Sequence, residues 1–239
     1  MTTVTTVTTM RQKPPPDGRF EGRRVVVTQC QDFMGPAITS SFNQEGAAVL
    51  ADSWNLHSPG SSEALIAQAG HIDILVLNLM LRNPRTSLLE TTDALWEAQF
   101  EATVHPLYRL ICAVQPQMID RRAGEIVAIG SNNGLRGIAP RSAYSAARGA
   151  QLSYVKAAGF ELAEHNVQIN AVAKNFVSNP SSYPEEITSS PGFAQCLAEV
   201  PAGRVAEGWE SAALVLFLAG SESDFFVGQV FSFSGGWQT

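Results

Sequence analysis

Ser131, Tyr144 and Arg148 are the residues whose types and spacing point most directly to chemistry. Ser131 closes an apolar run, Tyr144 follows thirteen residues later, and Arg148 stands four residues beyond Tyr144. Side chains four apart share one helical face, so the phenol and the guanidinium can approach each other. A phenol titrates near pH ~10, and a fixed cation beside it favours the phenolate. Arginine keeps its charge and gives up no proton. The pattern predicts Tyr144 as a general base working near neutral pH, with Ser131 hydrogen-bonding the same substrate oxygen. Taken singly, a Tyr-x3-Arg pair is commonly a surface pair and a strand-final serine a turn residue. The combination, set in the right succession of strands and helices, is harder to assign to chance.

Those side chains must be placed by the elements around them. Short apolar runs over 24–28, 47–52, 73–78, 125–131, 167–172 and 229–233 read as strands, with the continuous hydrophobicity of a buried parallel sheet. Helical patterns fall over 35–45, with Gly46 as its stop, over 62–69, over 92–118 as one long helix, and over 143–164. Strands alternating with helices mean βαβ units with right-handed crossovers. The expected architecture is α/β: a doubly wound, Rossmann-like parallel sheet. Ligands of such sheets bind beyond the carboxyl ends of the strands. The loops after Thr28, Asn78, Ser131 and Val172 should therefore converge on one site.

The 239 residues suit one large α/β domain over 20–239. Residues 1–17, a Thr/Val repeat followed by three prolines, read as a disordered tail. The composition, 45% hydrophobic and 16% charged, supplies a sizeable core. A net charge of −6 argues against a nucleic-acid partner. No apolar run spans a bilayer, and the N-terminus lacks the regions of a signal peptide, so a cytoplasmic enzyme with a small ligand is expected. The three cysteines are scattered and read as reduced thiols, Cys30 having no histidine nearby in sequence. The four histidines lack metal-ligand spacing, and no metal is expected.

The first βα turn is where a dinucleotide's pyrophosphate would lie, on glycines that let the backbone come close. Here it reads Thr28-Gln-Cys-Gln-Asp-Phe-Met-Gly35, with glycine only at its end. Asp32 adds negative charge and Phe33 adds bulk, both opposed to a dinucleotide. The interval from Asp52 to Asp73 has room for one helix, whereas cofactor-binding relatives place a helix, a strand and another helix there. Asp52 stands where an acid would grip a ribose; a turn-capping role fits the altered loop better.

Tyr144-Ser-Ala-Ala-Arg148 resembles the Tyr-x3-Lys of short-chain dehydrogenases/reductases with lysine changed to arginine. Thr28-x4-Phe33-x-Gly35 together with Ser131-x12-Tyr144-x3-Arg148 is similar to the paired signature of halohydrin dehalogenases, a cofactor-independent branch of that superfamily. The similarity runs from about Phe20 to the C-terminus, taking in Asp73-Ile-Leu-Val-Leu-Asn78 and Val227-Gly-Gln-Val-Phe-Ser-Phe-Ser-Gly-Gly-Trp237. The resemblance implies closure of vicinal halohydrins to epoxides, reversal with azide, cyanide or nitrite, no cofactor, and a homotetramer paired through the helices near 96–118 and 143–164. It implies a halide pocket built from Phe33 and the loop after the sixth strand, here Lys174, Asn175, Phe176 and Val177, with Tyr183 closing it. Leu79, Met80 and Leu81 offer an apolar substrate wall, and Ile138 could shape the substrate side. Several family members carry proline where this chain has Lys174, which either strengthens anion binding or points to solvent. Two other readings stay open: an NAD(P)-dependent oxidoreductase with a degenerate motif, and a non-catalytic sensor or scaffold on the same fold.

Overall fold

The computed structural model describes residues 17–239, except residues 53, 82–84, 180, 182 and 184 and the side chains of Glu185 and Glu186. Residues 1–16 of the expected tail lie outside the described residues; Asp17, its last residue, donates its N–H to the Glu45 carboxylate at 3.1 Å.

In chain order the elements are β1 (Arg24–Val27), α1 (Gly35–Gln44), β2 (Ala48–Ala51), α2 (Ser61–Ala69), β3 (Ile74–Leu77), α3 (Asp93–Thr103), α4 (His105–Arg121), β4 (Gly124–Ser131), α5 (Ser142–Leu162), β5 (Val167–Lys174), α6 (Glu185–Thr188), α7 (Pro191–Ala198), α8 (Gly208–Leu218) and β6 (Val230–Phe233). The strands form one sheet in the order β2-β1-β3-β4-β5-β6, every pair parallel. This is the doubly wound architecture expected from the alternating pattern.

Both faces of the sheet are covered, and successive side chains of a strand go to opposite cores. Leu75, Leu77, Ile126 and Ala128 join the core under α2, α4 and α5. Ile74, Val76, Val127 and Ile129 join the core under α1 and α8. Continuous apolar runs, rather than alternation, are the sequence image of this two-sided burial.

The single helix expected over 92–118 is two helices, α3 and α4, meeting at Val104. Pro106 stands in the first turn of α4. It has no N–H to return to the preceding turn, and its ring crowds that turn, so the helix restarts there. α7 and α8 are absent from the sequence reading. Ala212-Ala-Leu-Val-Leu-Phe-Leu218 is apolar without a helical period, although Glu207 and Glu210 form a capping box ahead of it. Lys174 ends β5 and Asn175–Val177 follow it, and β5 is the fifth strand of this chain because the described residues from Asp52 to Asp73 hold α2 and no strand.

Candidate active site

At the carboxyl edge of the sheet, β4 and β5 end side by side, with Ser131 paired in register to Lys174. The two side chains therefore leave the sheet on one face, a strand spacing apart. Tyr144 and Arg148 come from the first turns of α5. A short turn over 132–134 separates β4 from the segment leading to α5 and packs tightly on it. A Cβ on Gly134 would lie 2.7 Å from the carbonyl carbon of Arg148, so only glycine lets the turn sit that close.

Arg148 is fully buried. Its Nη1 donates to the carbonyl oxygens of Leu79 at 2.9 Å and Ile129 at 3.3 Å, and to Gln151 Oε1 at 2.8 Å. Gln151 Nε2 in turn donates to the Thr103 carbonyl at 2.7 Å. The guanidinium carbon stands 5.1 Å from the centre of the Tyr144 ring. The charge is thus held by β4, by the loop after β3 and, through Gln151, by the end of α3.

Tyr144 is itself buried. Burial pushes its phenol up, but the Arg148 charge, a hydrogen bond to Ser131 and the charge of Arg141 outweigh it and hold the phenol below its usual range. Ser131 Oγ accepts the Asn133 N–H at 3.2 Å, and its own O–H reaches Asn133 Oδ1 at a long 3.5 Å as well as the Tyr144 phenol. Serine, tyrosine and a fixed cation on one cavity wall can take a proton from an alcohol and hold the resulting oxyanion.

A cavity of about 390 Å³ opens in front of them. Phe33, Met80 and Leu81 line it from the loops after β1 and β3, Ser131 and Tyr144 from the centre, and Lys174, Asn175 and Tyr183 from beyond β5. A second recess of about 530 Å³ adjoins it and takes in Ile138 and Phe176. Two expected wall residues lie elsewhere. The Leu79 side chain is packed in the core under α2 and α4, its contribution to the site being its carbonyl. The Val177 side chain is packed in the core under α1 and α8, and its backbone bridges to Ala206.

Lys174 does not point to solvent: it is only 5% exposed and lines the cavity. Its Nζ sits 3.7 Å from the centre of the Phe33 ring. The ring face offers an ammonium about 0.5–2 kcal/mol, against a burial cost of several kcal/mol. Burial, reinforced by the Arg148 charge, holds the amine well below the usual lysine range. Phe33 (φ 57°) and Phe176 (φ 52°) both occupy the left-handed region, a strain of about 1–2 kcal/mol for a side-chain-bearing residue that is common at ligand sites. Tyr183 stacks on Phe176 with ring centres 6.5 Å apart. Its hydroxyl donates to Asn175 Oδ1 at 3.5 Å and accepts the Phe176 N–H.

Residues outside the sequence reading also shape the cavity, notably Arg141, Arg85, Asn133 and Ser181. Arg141 and Gln151 were legible in principle, one just ahead of Tyr144 at the helix start and the other one turn past Arg148. Arg85 and Ser181 reach the cavity only through loop paths that no sequence period announces.

A nicotinamide dinucleotide, which this kind of sheet commonly carries, would rest its pyrophosphate on the turn after β1. The residues present do not fit it. The N–H of Gln29 donates to the Asp52 carboxylate. Those of Cys30, Asp32 and Gly35 donate to the carbonyls of Asp52, Gln29 and Asp32, and that of Phe33 to Ser181 Oγ at 3.2 Å. Gly35 serves the turn rather than a ligand, since a Cβ there would lie 2.4 Å from the Gln29 carbonyl oxygen. Asp52 Oδ1 also caps the Trp54 N–H at 2.7 Å, which is the turn-capping role.

Residues 21–238 match the family model described as enoyl-(acyl carrier protein) reductase. A 3-oxoacyl-(acyl-carrier-protein) reductase of Salmonella typhimurium is 28% identical, over 91% of this chain and 98% of its own. The same enzyme from Thermotoga maritima is 29% identical over the same shares. Among solved structures, one described as a dehalogenation enzyme superposes with a TM-score of 0.82 at 29% identity, covering 91% of this chain and 98% of that one. A gluconate 5-dehydrogenase of Burkholderia cenocepacia superposes with a TM-score of 0.84 at 24% identity, a likeness of fold.

Proposed function

The chain belongs to the short-chain dehydrogenase/reductase superfamily, and within it we propose a halohydrin dehalogenase that closes vicinal halohydrins to epoxides without a nicotinamide cofactor. One observation carries the reading: Ser131, Tyr144 and Arg148 gather beside a first turn in which the N–H groups of Gln29, Cys30, Asp32, Phe33 and Gly35 are bonded to the protein and the Phe33 side chain is buried. Proton abstraction is provided for, and a phosphate cradle is not. The solved dehalogenation enzyme of matching length supports the same choice.

The substrate hydroxyl lies between Ser131 Oγ and Tyr144 Oη. The phenolate of Tyr144 takes its proton. The alkoxide electron pair forms a bond to the neighbouring carbon, and the carbon–halogen pair leaves with the halide. Holding oxygen, carbon and halogen in line is the main demand on the cavity. The halide goes toward Phe33, Lys174, Asn175 and Phe176, where a ring edge and amine and amide N–H groups receive it, with Tyr183 and Ile138 on the flank. In reverse, the same pocket presents azide, cyanide or nitrite to an epoxide.

The partners are a small halohydrin or epoxide and a small anion, with no nucleic acid or membrane, in a cytoplasmic homotetramer. No described helix is long and apolar enough to cross a membrane, and no metal-holding group of His, Cys, Asp and Glu gathers among the described residues. Trp96 and Tyr108 are exposed on α3 and α4, a surface suited to subunit pairing.

The test is incubation with 1,3-dichloro-2-propanol and no nucleotide, following halide and acid release. No release from folded protein across several chloro and bromo alcohols overturns the reading. The reductase names of the curated relatives favour a second reading, an NAD(P)-dependent oxidoreductase. It requires thermal protection by NADH or NADPH and oxidation of that cofactor with a carbonyl substrate.

A further inference from the structure

We propose that Lys174 is a carbonyl-reactive amine, and that the cavity takes small oxo acids as imine-forming ligands, an activity separate from dehalogenation. Four features of the site support it. Lys174 is buried and lines the cavity, no acid lines that cavity among the described residues, and Nζ stands over the Phe33 ring. A permanent cation, Arg148, lies close enough to disfavour a second charge, and a lysine beside a cation in an apolar setting is an activated nucleophile. Ser131 is its register partner on β4, and Tyr144 shares the cavity wall, so proton donors and acceptors stand beside the amine. Finally, Arg85 and Arg141 line the cavity, neither in an ion pair with a described residue, and no acid lines the cavity among the described residues, which suits a carboxylate-bearing ligand.

The chemistry balances without an oxidant or reductant. The Nζ lone pair forms a bond to the carbonyl carbon, and the carbonyl oxygen takes a proton from the Tyr144 hydroxyl. The resulting phenolate recovers a proton from the ammonium nitrogen, giving a carbinolamine. Tyr144 then protonates the carbinolamine hydroxyl, the carbon–oxygen bond breaks, and water leaves. Loss of the remaining N–H proton to the phenolate completes the imine, so amine plus carbonyl gives imine plus water.

The chain has three lysines, Lys13, Lys156 and Lys174, and Lys156 is exposed on α5, which makes the assignment simple. The full-length protein is incubated with 4-oxobutanoate at pH ~7, reduced with borohydride, digested, and the modified lysines are counted by mass. Lys174 should be labelled about tenfold faster than Lys156, and bromide should slow that labelling. Equal labelling of all three lysines, or none at Lys174 in folded protein, overturns the proposal. Lys174→Arg, which keeps a cation, should remove the label from this position and leave Lys156 unchanged; a label that persists at the same level overturns the assignment. Butanal in place of 4-oxobutanoate should label Lys174 more slowly, and equal rates overturn the oxo-acid preference. Halide release from halohydrins is scored separately, so failure of either reading leaves the other standing.

Discussion

Gly134→Ala tests whether the turn after β4 sets the geometry of the base. The added methyl would lie 2.7 Å from the Arg148 carbonyl carbon and 2.8 Å from both the Arg148 oxygen and the Gly149 nitrogen. All three are backbone atoms of a helix, so no side chain can swing away. Ordinary contact begins near 3.4 Å, and the turn and α5 must part by about 0.7 Å. Overpacking of this kind costs about 1–3 kcal/mol. At about 2–4 °C per kcal/mol for a chain of this length, Tm should fall by about 2–12 °C. The same movement separates Ser131 on β4 from Tyr144 and Arg148 on α5. A misplacement near 1 Å costs about 10²-fold in rate, so kcat for halide release should drop about 10–100-fold with bromide inhibition changed little. Thermal melts and initial rates on one preparation decide it. A variant within about 1 °C and twofold of the parent would refute the close packing of turn on helix, or its bearing on the site.

Four further outcomes follow from the same geometry. Tyr144→Phe should lower turnover by about 10²–10⁴-fold, the range of a lost general base, and leave bromide binding largely intact; near-normal halide release would remove Tyr144 as the base. Arg148→Met takes away the main force opposing burial of the phenol, so the acidic limb of kcat/KM should move to higher pH, with activity lost at neutral pH and recovered toward pH ~10. An unmoved limb in folded Arg148→Met, with Arg148→Lys as the charge-keeping control, would contradict the coupling. Phe33→Ala should weaken bromide inhibition about 2–10-fold, in proportion to an aromatic contact of about 0.5–1.5 kcal/mol; an unchanged inhibition constant removes Phe33 from the halide site. Gln151→Leu leaves one Arg148 donor bond and the Thr103 carbonyl unanswered, at a stability cost of about 1–3 kcal/mol, and should move the acidic limb in the same direction as Arg148→Met but less far.

What the sequence discloses, and what it withholds, divides along physical lines. The strands at the centre of the sheet are buried on both faces, so their apolar runs are unbroken and easy to find. Ser131, Tyr144 and Lys174 sit at element ends, where one-dimensional position already says which edge of the sheet they reach. α8 escapes because burial erases its helical period, and the break at Val104 escapes because a proline in a first turn is compatible with a helix on either side of it. Leu79 and Val177 were assigned by adjacency to the site. Backbone direction decides such cases, and the neighbours of a lining residue on a strand or bridge point away from it. Gln151, which fixes Arg148, was in view one turn further along the same helical face. The contributions of Arg85 and Ser181 depend on loop paths that composition does not determine.

The burial of Arg148 has a consequence for the conditions in which the site can operate. An exposed ion pair fades as mobile ions crowd around it, the screening distance being about 8 Å at physiological ionic strength and about 3 Å at 1 M. Arg148 is wholly buried, and its partners are the carbonyls of Leu79, in the loop after β3, and of Ile129, within β4, and the Gln151 amide, so mobile ions are kept from it. Under the proposed function, each turnover would liberate one halide and one proton and enrich the surroundings in salt and acid. A cation fixed by uncharged oxygens, out of reach of that salt, keeps its hold on the Tyr144 phenol as the product accumulates.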